Sequence, residues 1–439
     1  MNLTLHPARK INGEIRVPGD KSVSHRALIF GAIANGTTHI YGFLQSLDTQ
    51  ATRDCLISLG VDIQLTRYPS HKIVSGYLNT DLTIVGSGFR GLRAPHRVLD
   101  CGNSGTTMRL MLGVLAGQPF ESTLGGDASL SKRPMDRVRI PLSEMGAQVQ
   151  GEGDRNVPPI SIRGGDLRGI EYRMPVASAQ VKSSVLLAGL QATGTTTVVE
   201  PAPSRDHTEQ MLRAFGVEVE QKDNRVSVIG GQNLTSTDVS VPGDISSAAF
   251  FFVAGALHED FSVRVLDVGL NPTRTGILDV LRAMGADVKI ENQRTQGEML
   301  GDVTVSHCNL RATEIGGALI PRLIDELPVL ALLATQCEGT TTIRDAAEMR
   351  VKESDRIAVI TRELRKLGAN IEETPDGMTI HGPTKLRGAH VVSPPGDHRI
   401  AMTLAIASLV CEGETTLENA DAVTSSFPNF FELLDEVRA

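Results

Sequence analysis

The stretch VPGDKSVSHRAL at residues 17–28 returns in outline as VPGDISSAAFFF at residues 241–252. Each opens with a Pro-Gly turn and an aspartate, then runs into an apolar pattern of helical period. Two copies of one helix start suggest a duplicated chain, and a repeat bounds the fold before any single element does. Outward from these two stretches, a short alternating segment occurs six times: LTLH at Leu3, LTIV at Leu82, ISIR at Ile160, VSVI at Val226, VTVS at Val303 and MTIH at Met378. Apolar–polar alternation marks each as a half-buried strand. Further helix starts follow in register: DCGNSGTTMRLML, PVASAQVKSSVLL, PRLIDELPVLALLA and PPGDHRIAMTLAIAS.

Four of these helices lead into a glycine-bounded strand: GTTHI, GTTTVVE, GTTTIRDA and GETTLENA. A second helix then closes on a glycine, at Gly60, Gly146, Gly216, Gly285 and Gly368. A left-handed C-cap is expected at each, because glycine carries no Cβ penalty there. The unit is therefore βαβαββ, roughly 75 residues long, which is too long for a solenoid repeat and typical of a duplicated α/β fold. The sixth copy lacks its closing strand, and the segment at Leu3 has the missing pattern. Two similar domains of three units each are expected: a central domain over 18–239, and a second made of 1–17 with 240–439, completed by the N-terminal strand. Hinges are expected near 17–19 and 239–242.

The 439 residues are 41% apolar and 21% charged, an ordinary globular balance with room for more than one core. A formal charge of -8, no Trp and four Tyr disfavour a nucleic-acid or acidic-membrane partner. The five cysteines, Cys55, Cys101, Cys308, Cys337 and Cys411, show no CxxC spacing, which fits a reducing compartment better than a disulfide frame or a zinc site. The N-terminus has no signal-peptide pattern, and no apolar run is long enough to span a membrane. A cytoplasmic protein is expected, a monomer by default. GSGFRG at 86–91 matches a dinucleotide fingerprint but leads into no apolar helix, so it reads as a turn. No phosphate-binding GxxxxGK[ST] loop, HExxH pair or nucleophile elbow occurs.

Equivalent positions of a repeat gather on one face, so the informative helix starts are those that depart from a plain one. VPGDISSAAFFF serves as the plain case. Against it stand Lys21, Ser22 and Arg26; Asn103, Ser104, Gly105, Thr106, Thr107 and Arg109; Ser178, Gln180 and Lys182; Asp325 and Glu326; Asp397, His398 and Arg399. The second helices add Arg133, Arg205, Arg274, Lys352, Glu353 and Arg356. Free amides and the positive end of the helix dipole attract anions, whereas a cation there works against its own helix unless an anion offsets it. Singly, each residue reads as a solvated cation with a surface ion pair. As a set they read as a focused anion site. Asp325 and Glu353 break the pattern. One reading makes them a helix cap and a capping-box or ion-pair residue. The other makes them acid/base groups kept ionised among arginines.

The segments PGDKSVSHRAL, GNSGTTMRL, GDASLSKRPM, ASAQVKSSVLLAGL, SRDHTE, NPTRTG, IDELP, RVKESDR and GDHRIAM resemble, in order and over essentially the whole chain, the signatures of the EPSP synthases (3-phosphoshikimate 1-carboxyvinyltransferases) of the enolpyruvyl transferase family. The resemblance implies an α/β fold of two domains, each an inverse α/β barrel of three βαβαββ units. It implies transfer of the enolpyruvyl group of phosphoenolpyruvate to the 5-hydroxyl of shikimate 3-phosphate, with no metal and no covalent enzyme intermediate. Carried over by position, shikimate 3-phosphate is expected at Lys21, Ser22, Arg26, Ser178, Ala179 (through its backbone), Gln180, Arg205, Asp325 and Lys352. Phosphoenolpyruvate is expected at Lys21, the Asn103–Gly105 turn, Arg133, Gln180, Arg356 and Arg399. Asp325 is the expected base at the hydroxyl, and Glu353 with Lys21 the expected proton donor to carbon. Ser425 and Glu348 stand where many members have Lys and Asn, so those contacts are not carried over. Gly105 leaves room beside phosphoenolpyruvate and its bulkier mimic, glyphosate. Two rivals remain: a UDP-N-acetylglucosamine enolpyruvyl transferase, which typically has a Lys-Asn pair and a loop cysteine where this chain has Lys21-Ser22 and GGDASLSKRP, and a non-catalytic anion-binding scaffold.

Overall fold

Six small sheets built to one plan carry the alternating segments of the sequence. The computed structural model describes residues 1–66 and 80–438. One sheet has the order Leu99–Asp100, Glu121–Gly125, Val157–Arg163, Gln148–Glu152, with the first pair parallel and the others antiparallel. The same order and sense recur in the sheet around Thr195–Val199 and in that around Gly339–Ile343. Around Ala34–Phe43 the parallel neighbours are Leu234–Thr235 and Val239–Ser240. Around Phe261–Gly269 the parallel neighbour is Ile11–Ile15. In the sixth sheet Thr415–Glu418 lies parallel to His390–Val392 and antiparallel to Leu3–Leu5, with Leu3 opposite Leu417. A parallel pair needs a crossover connection, and a helix supplies it.

The helices in chain order are α1 (Lys21–Ile33), α2 (Leu47–Ser58), α3 (Gly105–Leu115), α4 (Asp136–Met145), α5 (Ala179–Gly189), α6 (His207–Ala214), α7 (Ile245–Ala256), α8 (Gly276–Ala283), α9 (Ile320–Leu323), α10 (Leu327–Ala334), α11 (Arg356–Lys366), α12 (His398–Ala407) and α13 (Phe430–Val437). The chain divides into two compact units, one of Met1–Asp20 with Pro242 onward, the other within 21–241. Each unit has its own buried apolar cluster.

In the first unit every residue of α7, α10 and α12 is buried, including the polar groups that open α7 and α12. Phe250 and Phe251 of α7 pack against Phe427 and Phe430 in edge-on and tilted pairs. Truncating one such ring to Ala costs about 3–5 kcal/mol. In the other unit α1, α3 and α5 hold the equivalent interior positions. Gly113 lets α3 approach α5 so closely that a Cβ would sit 2.3 Å from the Ser184 carbonyl oxygen.

The five glycines closing the second helices all have positive φ, from 84° at Gly216 to 117° at Gly146, as left-handed caps require. GSGFRG ends a strand at Ser87 and makes a single 3-10 turn over Phe89–Gly91, so the reading as a turn holds. Among the described residues no helix is long and apolar enough to cross a membrane.

Candidate active site

The polar helix starts of the 21–241 unit meet through buried hydroxyls. Lys21, the first residue of α1, donates to the Asp48 carboxylate at 3.1 Å, with both side chains mostly buried. Three steps of hydrogen bonding join α1, α2 and α3. His25 Nδ1 meets Thr52 Oγ1 at 2.7 Å, Thr52 meets Thr107 at 2.6 Å, and Thr107 donates its hydroxyl to Ser104 Oγ at 2.8 Å. Ser104 is the N-cap of α3 and also accepts from the Thr107 backbone N–H. The cap fixes the Asn103–Gly105 turn relative to Lys21, because every hydroxyl in the chain is buried and must be satisfied.

Asn103 and Arg133 form the next group. The Arg133 guanidinium donates to Asn103 Oδ1 at 2.7 Å and to Ser129 Oγ at 3.3 Å, while Asn103 Nδ2 donates to Asp127 at 2.7 Å. Asp127 in turn accepts from the backbone N–H groups of Ser129 and Leu130, which folds the loop that carries Arg133. Arg133 is buried. On the facing helices, Arg109 donates to Gln180 Oε1 at 2.6 Å, and Gln180 Nε2 donates to Thr106 Oγ1 at 2.9 Å. Gly105 lies beside this pair, and a Cβ there would come within 2.6 Å of Arg109 Nη1 and 3.4 Å of Arg133 Nη1.

Arg26 is nearly inaccessible. Its guanidinium donates to Thr208 Oγ1 and Ser183 Oγ, both at 2.7 Å, and to the Ser22 carbonyl at 3.0 Å. Ser178 is the N-cap of α5, with Ala179 and Gln180 in its first turn. Arg205 lies half-buried in the loop that enters α6.

The other unit gathers its carboxylates around one guanidinium. Arg356, 1% exposed, donates to both Asp397 oxygens at 3.2 Å, to Asp325 at 3.4 Å and to Glu353. Lys352 reaches the same Asp325 oxygen at 3.3 Å. Burial alone would lower the Arg356 pKa, but Asp397, Glu353 and Asp325 outweigh it and push it above its ordinary value. Asp397 is fully buried and caps α12 through the N–H groups of Arg399 and Ile400. Arg399 donates to the Ser246 carbonyl at 3.0 Å and stands over the Phe250 ring at 5.9 Å, a cation–π contact. Arg356 and Arg399 are thus tied to buried partners, which offset the cost of desolvating their charge.

Several expectations need correction. Asp325 caps no helix; it lies in the turn between α9 and α10. Glu353 forms no capping box, since Asp355 caps α11, and its structural partner is Arg356. VPGDISSAAFFF is not the plain helix start. Its Asp244 and Ser246 are buried with Arg274, which donates to Asp244 at 3.2 Å, to Ser246 Oγ at 2.7 Å and to Asp20 at 3.0 Å. Arg274 therefore grips both aspartates of the repeated PGD turns. Lys182 belongs to a buried ion cluster with Glu200 and Glu209. Both cations face carboxylates because their repeat positions point inward. Asp48 was not singled out in the sequence. An acid in the first turn behind a Ser46 capping box is ordinary, and no local signal separates it from a solvated one.

A family profile described as EPSP synthase (3-phosphoshikimate 1-carboxyvinyltransferase) matches residues 5–434. A 3-phosphoshikimate 1-carboxyvinyltransferase of Bacillus pumilus is 53% identical over 434 residues, covering 99% of each chain. That of Bacillus subtilis is 52% identical over 428 residues, covering 97% of each. A solved EPSP synthase from Acinetobacter baumannii superposes with a TM-score of 0.86 at 46% identity, covering 100% of this chain and 98% of that one. The enolpyruvyl transferase NikO from Streptomyces tendae shares the fold at a TM-score of 0.79 and 19% identity, over 99% of this chain and 97% of that one.

Proposed function

The chain belongs to the EPSP synthase family, and from that premise we propose how its residues divide the work of the family's reaction. The enzyme transfers the enolpyruvyl group of phosphoenolpyruvate to the 5-hydroxyl of shikimate 3-phosphate, releasing phosphate, in the shikimate pathway. Lys21, Ser22, Arg26, Ser178, Ala179, Gln180, Arg205, Asp325 and Lys352 hold shikimate 3-phosphate; Ala179 does so through its N–H at the start of α5. Lys21, Asn103, Gly105, Arg133, Gln180, Arg356 and Arg399 hold phosphoenolpyruvate. Both substrates are polyanions, for which planar arginine donors are efficient partners.

The observation that carries this reading is the Arg356 cluster, where one buried cation holds Asp325, Glu353 and Asp397 together. Asp325, held by Arg356 and Lys352, removes the proton of the 5-hydroxyl as its oxygen bonds to C2 of phosphoenolpyruvate. Glu353, released from Arg356 as phosphoenolpyruvate engages that guanidinium, delivers with Lys21 a proton to C3. Loss of phosphate from C2 and of a proton from C3 then restores the double bond. We read the protein as a cytoplasmic monomer.

The test is phosphate release that requires both substrates, repeated with Asp325→Asn. A loss of about 10²–10⁴ in kcat is expected for a missing general base. Undiminished turnover in the variant would remove Asp325 from this role. Binding without turnover in the unaltered enzyme would favour a scaffold, and turnover of UDP-N-acetylglucosamine the sister reaction.

A further inference from the structure

Two rungs join α5 to α6. In the first, Ser183 Oγ meets Thr208 Oγ1 at 2.6 Å, and both groups accept from Arg26. In the second, one residue back on α5 and one residue on along α6, Lys182 meets Glu209 at 2.6 Å, with Lys182 1% exposed and Glu209 completely buried. Lys182 also donates to Glu200 at 2.9 Å, and the Ser204 carbonyl lies 3.5 Å from the same ammonium. Glu200 accepts from the Ser204 N–H at 3.2 Å and from the Ser204 hydroxyl. The far end of the loop is fixed as well, by exchange of hydrogen bonds between Glu200 and Asn224 and by Gln210 on Asp206. The residue just before Arg205 is therefore gripped at its N–H, its hydroxyl and its carbonyl.

Such a cluster is a poor source of stability. Desolvating one cation and two carboxylates costs so much that apolar replacements are often neutral or better. Burial indeed pushes the Glu209 carboxyl above its ordinary range although Lys182 pulls it down. What the cluster does supply is geometry, because the hydrogen bonds of Lys182 and Glu200 hold the Ser204 backbone and hydroxyl in one place.

We propose that Lys182, with Glu200, Ser204 and Glu209, is a positioning set that aims Arg205, and through the neighbouring rung Arg26, at shikimate 3-phosphate. The inference rests on the reading that Arg205 and Arg26 hold that substrate. None of the four touches the reacting atoms, so their effect is on substrate affinity and not on chemistry.

The experiment compares three full-length variants: Ser204→Ala, the neutral triple Lys182→Met/Glu200→Gln/Glu209→Leu, and Arg205→Gln. Each is measured for KM of both substrates, for kcat, for direct binding of shikimate 3-phosphate alone, and for thermal unfolding. Ser204→Ala keeps all three charges paired and removes only the hydroxyl that ties the loop. The expected result is a rise of about tenfold in KM and Kd for shikimate 3-phosphate in Ser204→Ala. A rise of up to about 10²-fold is expected in the triple variant. KM for phosphoenolpyruvate and kcat stay unchanged in both. Arg205→Gln raises the same two constants. If Arg205→Gln raises them while Ser204→Ala, properly folded, leaves them alone, the positioning role is wrong and the binding reading stands. A variant that only melts earlier, or weakens both substrates alike, also overturns it. An Arg205→Gln enzyme with unaltered affinity removes the binding reading itself and this inference with it.

Discussion

Replacing Arg274 by Met removes a guanidinium that holds both Asp20 and Asp244, each only 3% exposed. In the intact protein burial would lower the Arg274 pKa, but Asp20 and Asp244 raise it above its ordinary value. Asp244 already lies above the usual carboxylate range, through burial first and the nearby Asp20 second, with Arg274 and Arg399 opposing. Without Arg274 two carboxylates are left facing each other in a dry site. Breaking a buried pair costs about 3–5 kcal/mol. The ceiling per group is the cost of taking up a proton instead, about 4 kcal/mol at pH 7 for a carboxyl whose unfolded pKa is about 3.9. A loss of about 3–5 kcal/mol follows, a large part of the stability of an ordinary domain.

The sign with pH is fixed. Losing Arg274 raises the already elevated pKa of Asp244 further, so between its value in the unaltered protein and its value in the variant the variant's native state binds the extra proton. Unfolding free energy therefore falls as pH rises through that window. The deficit against the unaltered protein should shrink by about 1.4 kcal/mol for each unit of acidification within it, through Asp244. Urea unfolding followed by circular dichroism measures this, since the chain has no Trp. Adding Asp20→Asn and Asp244→Asn to the Arg274→Met chain should recover most of the loss. A deficit below about 1 kcal/mol, or one equal at pH 5 and pH 8, would refute the claim that these groups are both buried and ionised.

Other outcomes are expected at the active-site groups. Arg356→Lys cannot reach three carboxylates from one compact charge, and kcat/KM for phosphoenolpyruvate should fall by about 10²-fold, read by phosphate release; a fall below twofold would count against the cluster. Gly105→Ala places a Cβ 2.6 Å from Arg109 Nη1 and should dislodge Arg109 from Gln180, weakening inhibition by glyphosate; inhibition curves that overlay would dismiss the crowding argument. Alkylation should label the exposed Cys308 first and leave activity intact. Burial pushes the thiols of Cys337 and Cys411 up to about 12 and about 11, so neither supplies a thiolate near neutral pH. Peptide mapping of the alkylated, assayed enzyme checks this, and inactivation in step with Cys308 labelling would contradict it.

The sequence by itself determined the strands, the helix caps and the sixfold plan, because each is written within a few residues. Period-two alternation at Val303 or Met378 is a property of the local chain, and so is the left-handed glycine at Gly146 or Gly368. It also assembled the candidate residues, since a repeat names equivalent positions. Only the tertiary structure decided which protein carboxylates each cation meets. Arg274 and Arg356 look alike at their helix starts. The first meets Asp20, 254 residues away, and the second meets Asp397, 41 away. Lys21 opens α1 and Lys182 is the fourth residue of α5, yet the second is sealed against Glu209 and the first keeps a partly open edge beside Asp48. A helix start fixes the field that a charge feels from its own backbone. The larger field, from charges brought near by distant parts of the chain, exists only once the fold has closed around them.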